Sequence, residues 1–186
     1  MPKQDTFTQF IQKGRTRDSI ERQSRRSQKF LQNKIKQFSD KTKKMQTARP
    51  GIGNMYLFSY DAKHKDKLPY FDRFPLSIVI GFKPAGILSL NLHYLPPRKR
   101  IILLNKLIQV SNIKEISPNS RLKLNYGIVK TASKLYAPAV KYHLFSQLRS
   151  KFIKVEPEEW HETAMLPLAN FNVSNIKVYA DSAKKY

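Results

Sequence analysis

The chain has 186 residues, with 35 Lys/Arg against 13 Asp/Glu and a formal net charge of +22. Self-repulsion of that order destabilises a compact state unless a polyanion neutralises it, so the expected partner carries phosphates: nucleic acid before membrane. The absence of cysteine excludes disulfides, thiolate zinc sites, iron–sulfur clusters and cysteine nucleophiles, and the length suits one domain, or one small domain with an extension.

The start, MPKQDTF, has no apolar signal core, so no secretory signal is expected. Residues 1–50 hold 14 Lys/Arg and 4 Asp/Glu, and residues 51–186 hold 21 and 9. The first piece has neither glycine nor proline between Gly14 and Pro50 and few large apolar residues, so it lacks the surface to fold alone. Ile20, Ser27, Leu31, Ile35, Phe38 and Met45 form a narrow stripe at roughly helical spacing, with cations spread over the rest. Residues 17–46 are therefore expected to be a basic amphipathic helix or helix pair that stays disordered until it docks. A run with one proline and two glycines, residues 48–54, reads as the linker. The domain reading is 1–50, a basic arm and linker, and 51–186, an α+β domain.

In that domain Met55–Tyr60 reads as a short aromatic strand, Asp61–Lys67 as a charged turn and Leu68–Phe74 as an irregular or edge segment. Leu76–Phe82 is the strongest strand, Lys83–Gly86 a turn, and Ile87–Leu95 a strand of strict alternation. Leu88, Leu90, Leu92 and Tyr94 face one way and Ser89, Asn91 and His93 the other, which predicts an antiparallel sheet with one buried face. Pro96–Pro97 opens a helix to Ser111 that buries Ile101, Leu104, Leu107 and Ile108. Ile113–Pro118 reads as loop. Arg121–Tyr136 reads as a helix burying Leu124, Ile128 and Leu135, or as a strand running into a helix. Pro138–Arg149 reads as a third helix, Ser150–Val155 as a short strand, and Pro157 as the start of a helix around Glu158–Met165. Residues 166–178 read as irregular, with a helical turn at the end. The class is α+β: a small antiparallel sheet with C-terminal helices packed behind it, preceded by a basic helical or disordered N-terminal arm.

The chemical inventory is sparse. His64, His93, His143 and His161 show no metal-ligand spacing, and neither a nucleotide-cradling loop nor a GxSxG elbow is present. No metal, cofactor or catalytic residue is expected. Asp61 and Lys63 match half of a magnesium nuclease core, but the only acids upstream lie in the basic arm, so a charged turn is the preferred reading. Glu156, Glu158, Glu159 and Glu162 read as the N-terminus of a helix, where carboxylates meet exposed N–H groups. No base-reading module is present, so binding is expected to be directed at the backbone and tolerant of sequence.

The runs GNMYLFSYD at residues 53–61, KDKLPYFDRFPL at 65–76 and GILSLNLHYLPP at 86–97 resemble a family of virion-associated proteins of large contractile-tailed bacteriophages. TASKLYAPAVKYHLFSQLRSKFIKVEPEEW at 131–160 and ANFNVSNIKVYADSAKK at 169–185 extend the resemblance over about residues 50–186. It implies a DNA end protector-like protein, or a neck, tail or baseplate component, without catalytic residues. It further implies residence in the virion after assembly in the host bacterial cytoplasm.

Together these readings predict a non-enzymatic virion protein that holds double-stranded DNA without sequence preference, docks among other virion proteins in an oligomeric assembly, and uses no membrane. The expected phosphate contacts are Arg15, Arg17, Arg22, Arg25, Arg26, Lys29, Lys34, Lys36, Lys41, Lys43 and Lys44 in the arm, and Arg98, Lys99 and Arg100 in the domain. Tyr56, Tyr70, Phe71, Tyr94 and Trp160 are the expected protein-interface aromatics. The competing readings are an arm that binds acidic proteins, a ribosome-like RNA-associated protein, and the magnesium nuclease.

Overall fold

The computed structural model describes residues 25, 26, 29, 30, 32, 33, 50–111 and 117–183. The chain divides into two units, Met1–Met45 with Leu166–Leu168, and Gln46–Met165 with Ala169–Tyr186. In the first, the described residues Arg25, Arg26, Lys29, Phe30, Gln32 and Asn33 are helical. The rest of the expected arm helix lies outside the described residues.

The second unit is built on a five-stranded antiparallel sheet of order β4-β3-β2-β1-β5. Its strands are β1 (Met55–Leu57), β2 (Leu76–Lys83), β3 (Gly86–Asn91), β4 (Val140–Leu144) and β5 (Ile153–Val155). Pro84 and Ala85 close the β2–β3 hairpin, with Lys83 opposite Gly86. Glycine is required at 86 because a Cβ there would run into the carbonyl of His143 on the neighbouring strand. The register shifts between Val79 and Gly81, a bulge at Ile80. Among the described residues four α-helices complete the unit: α1 (Pro97–Ser111), α2 (Pro118–Leu135), α3 (Trp160–Met165) and α4 (Asn175–Ala183).

Residues directly opposite one another share a face. Val155, Met55, Ile78, Leu90 and Val140 thus run as one row across the sheet. α2 packs on β2 and on α1, and α1 packs on α3. Leu104, Leu107, Val129 and Trp160 are buried there. The opposite face is covered as well, by an aromatic cluster of Tyr56, Phe58, Tyr60, Ala62, Val79 and Ile87 flanked by Phe71, Phe145 and Phe152. Expecting one buried face was therefore wrong. Ser89, Asn91 and His93, read as a solvent-facing row, are fully buried: Asp72, in the segment after β1, meets Asn91 and His93, and His143 of β4 meets Ser89.

Several local readings also change. Pro138–Arg149 is not a helix but β4, set between single 3-10 turns at Ala137–Ala139 and Phe145–Gln147. Its Lys141 and His143 pair opposite Ser89 and Ile87, so alternation and strand pairing prevail over a weak helical pattern. Ile87–Leu95 ends as strand at Asn91 and continues as a 3-10 turn, where the Asn91 side chain accepts the His93 N–H. Pro118, placed in a loop, starts α2 behind the capping Ser117 hydroxyl. Leu124 and Leu135 are 50% and 63% exposed, not buried. The chain end is a nine-residue helix, longer than the expected turn. Glu156 and Glu159 do close a capping box at the start of the Pro157–Glu159 turn.

Candidate nucleic-acid interface

The described cations lie mostly on the surface. Arg25, Arg26 and Lys29 are exposed on helical positions. In the second unit Lys63, Lys65 and Lys67 project from the turns after β1, and Arg98 and Lys99 from the first turn of α1. Lys106, Lys123, Lys130 and Lys134 continue the exposed charge along α1 and α2. Neither helix contains an Asp or Glu. Cations in the first turn of α1 oppose the helix dipole. Their placement costs stability in the free chain and is repaid when an anion sits at that end.

Arg100 does not belong with Arg98 and Lys99. It is 4% exposed. Its Nε donates to Leu95 O at 2.8 Å, Nη1 to Ala164 O at 2.9 Å, and Nη2 to His93 O at 3.2 Å and the Tyr179 hydroxyl at 2.9 Å. All its reach is spent inside the fold, so it is withdrawn from the phosphate contacts. The aromatic interface set is corrected in the same way. Tyr56, Tyr94 and Trp160 are buried, and the Trp160 indole N–H donates to Val155 O at 2.9 Å. Tyr70 and Phe71 are half-buried, and Tyr70 donates to Asp181 at 3.1 Å. Lys34, Lys36, Lys41, Lys43, Lys44, Arg15, Arg17 and Arg22 lie outside the described residues.

The Asp61 carboxylate engages Lys65 and Arg149, each at 3.2 Å. Among the described residues no group of three or more His, Asp or Glu could hold a metal ion, and no helix is long and apolar enough to cross a membrane.

Sequence reasoning missed a buried polar web. Asp72 Oδ2 lies 2.6 Å from His93 Nδ1 and accepts from the Asn91 amide at 3.1 Å. Its other oxygen accepts the N–H groups of Phe74 and Asn170, at 3.0 and 3.2 Å. Burial alone would raise the Asp72 carboxyl, but His93 and these donors outweigh it and hold the group below the ordinary carboxylate value. The His93 and Asp72 side chains are 0% and 1% exposed, so the pair has no access to a substrate. It joins the 68–74 segment, the end of β3 and the C-terminal segment.

His143 gives this interior a measurable pH signature. Its Nδ1 pairs with the Ser89 hydroxyl at 3.1 Å, and burial pushes its pKa down to about 3 from 6.5. Asp72 and Lys141 act on it with opposite signs. Between those values the unfolded chain binds a proton that the folded chain refuses. Stability therefore falls as pH drops below 6.5, by up to about 1.4 kcal/mol per pH unit. Asp72 adds a separate loss only at lower pH, as its own lowered value is crossed. Urea unfolding at pH 7, 5.5 and 4.5 is expected to show a clear decline for the wild type and a shallower one for His143→Gln. Parallel declines would refute the assignment.

A family model described as phage T4 terminal DNA protecting protein matches residues 4–185. The match takes in the basic N-terminal segment, and so reaches further than the resemblance over residues 50–186. No curated protein and no solved structure matches the chain.

Proposed function

The chain belongs to the family of the phage T4 terminal DNA protecting protein, and on that premise we propose that it is a non-enzymatic virion component that covers the ends of the duplex genome. The carrying observation is the charge. A net +22, with exposed cations on the helical positions at 25, 26 and 29, on the turn after β1 and along α1 and α2, suits a continuous phosphate surface better than a small ligand. The N-terminal segment supplies the densest contacts, through Arg15, Arg17, Arg22, Arg25, Arg26 and Lys29 and the lysines that follow. Arg98, Lys99 and the Lys63–Lys67 turn supply further ones. In this reading the protein works in a neck, tail or baseplate assembly formed in the host cytoplasm.

Contacts of this kind read no bases. Linear duplexes with three unrelated end sequences, incubated with the full chain and then with an exonuclease, are expected to be protected alike. Protection should be lost as salt rises towards about 200 mM. Protection of one end sequence tenfold over the others would overturn the sequence-tolerant reading. Cleavage of DNA by the protein itself would overturn the non-enzymatic one.

A further inference from the structure

α1 and α2 leave between them a groove of about 540 Å³. Its walls are apolar and open to solvent: Ile102, Leu124 and Leu135 are 44%, 50% and 63% exposed. Its rim carries Lys99, Lys106 and Lys123, and no carboxylate is available from either helix. An apolar groove rimmed by charge marks an interaction site. Gly127 is a second, independent sign. It lies in the groove, in the middle of α2, and a Cβ there would meet nothing within 4 Å. Glycine in a helix interior costs about 0.5–1 kcal/mol against alanine. The described packing around it gains nothing from the missing Cβ, whereas a backbone laid into the groove needs it missing.

We propose that this groove docks an acidic amphipathic helix of a partner protein. From Lys123 to Leu135 the lining runs about 18 Å along the helix axis, room for three turns or a little more. Apolar side chains at i, i+3 or i+4, and i+7 would cover Ile102, Leu124 and Leu135, while Asp or Glu on the flanks meet Lys106 and Lys123. Other occupants fit less well. A phosphate backbone would satisfy the lysines and leave the apolar walls wet. The chain's own N-terminal segment carries 14 Lys/Arg against 4 Asp/Glu and would be repelled. A second copy offers its glutamate cluster only on a 3-10 turn and a six-residue helix, whose Trp160 and Ala164 are buried in its own fold.

The test is fluorescence anisotropy of the full chain with a labelled 18-residue peptide, leucine at every third or fourth position and glutamate at most others. Saturable binding is expected. K106E/K123E should weaken it at least ~10-fold. Gly127→Leu should abolish it, with thermal unfolding unchanged or raised and duplex binding retained. If Gly127→Leu melts lower than the wild type, the K106E/K123E result decides. No binding, equal binding of a scrambled peptide of the same composition, or wild-type affinity in K106E/K123E would overturn the proposal. Loss of duplex and peptide together in a folded Gly127→Leu would make the groove a nucleic-acid site and overturn it as well.

Discussion

Replacing Arg15, Arg17, Arg22, Arg25, Arg26 and Lys29 together by glutamine is expected to make the salt dependence of duplex binding shallower by about five units on a log–log plot. Each cation that neutralises a phosphate of B-DNA contributes a slope of about −0.9 through counterion release, so six contacts amount to roughly −5. Between 50 and 200 mM salt the wild type should then lose on the order of 10³-fold more affinity than the variant. The six are drawn from the segment with 14 Lys/Arg and 4 Asp/Glu. Arg25, Arg26 and Lys29 are exposed on helical positions, so no core group is touched there. Titrations of one duplex at four salt concentrations, with thermal melts of both proteins beside them, make the measurement. Equal slopes would show that these residues hold no phosphates. The acidic-partner reading of the segment would then stand in place of the DNA one.

Much of the sheet was legible because its signals are local. Leu76–Phe82 is apolar and β-rich, and the proline and glycine at 84 and 86 punctuate it, so β2, the turn and the start of β3 follow directly. β4 was not legible. Five residues flanked by short 3-10 turns have too little pattern to outweigh helix propensity, and what makes them a strand is the distant edge of β3. The second buried face was hidden for a related reason. Ser89, Asn91 and His93 are polar, and partners far along the chain make their burial tolerable, His143 for Ser89 and Asp72 for the other two.

The candidate site was legible as charge and illegible as geometry. Net charge and its concentration in residues 1–50 are properties of composition. Which cations meet solvent is not. α2 shows why apolar spacing misleads. The stripe of Leu124, Ile128 and Leu135 was expected to pack inwards, yet Asn125, Val129 and Ala132 are the buried set. The two stripes differ by about one position, roughly 100° around the helix. The smaller side chains let α2 approach α1 and β2, and this turns the larger ones into the groove. Sequence periodicity weighs the larger stripe more heavily and so selects the wrong face.

Arg98, Lys99 and Arg100 sharpen the same point and yield the largest expected stability effect. Three consecutive helical residues point in directions about 100° apart, so one of them must face the core when the helix packs. Here it is Arg100, whose guanidinium gathers three carbonyls and the Tyr179 hydroxyl. Burial lowers its pKa, which Tyr179 and Asp72 partly restore. Removing it leaves Leu95 O, His93 O and Ala164 O without that donor in a buried place, and each buried acceptor left unsatisfied costs about 1–3 kcal/mol, so the three together cost at least about 3 kcal/mol. Arg100→Met is therefore expected to lower Tm by about 6 °C or more, at about 2–4 °C per kcal/mol for a chain of this size. Arg100→Lys, which keeps the charge but loses the planar fork, should fall between. Arg98→Gln/Lys99→Gln should behave in the opposite way: Tm within about 2 °C of wild type and a weaker, less salt-sensitive grip on duplex DNA. Thermal melts and duplex titrations on the three variants separate the roles. If Arg100→Met melts like the wild type but loses DNA, the guanidinium reaches the phosphates after all, and its place inside the fold is not the one that matters.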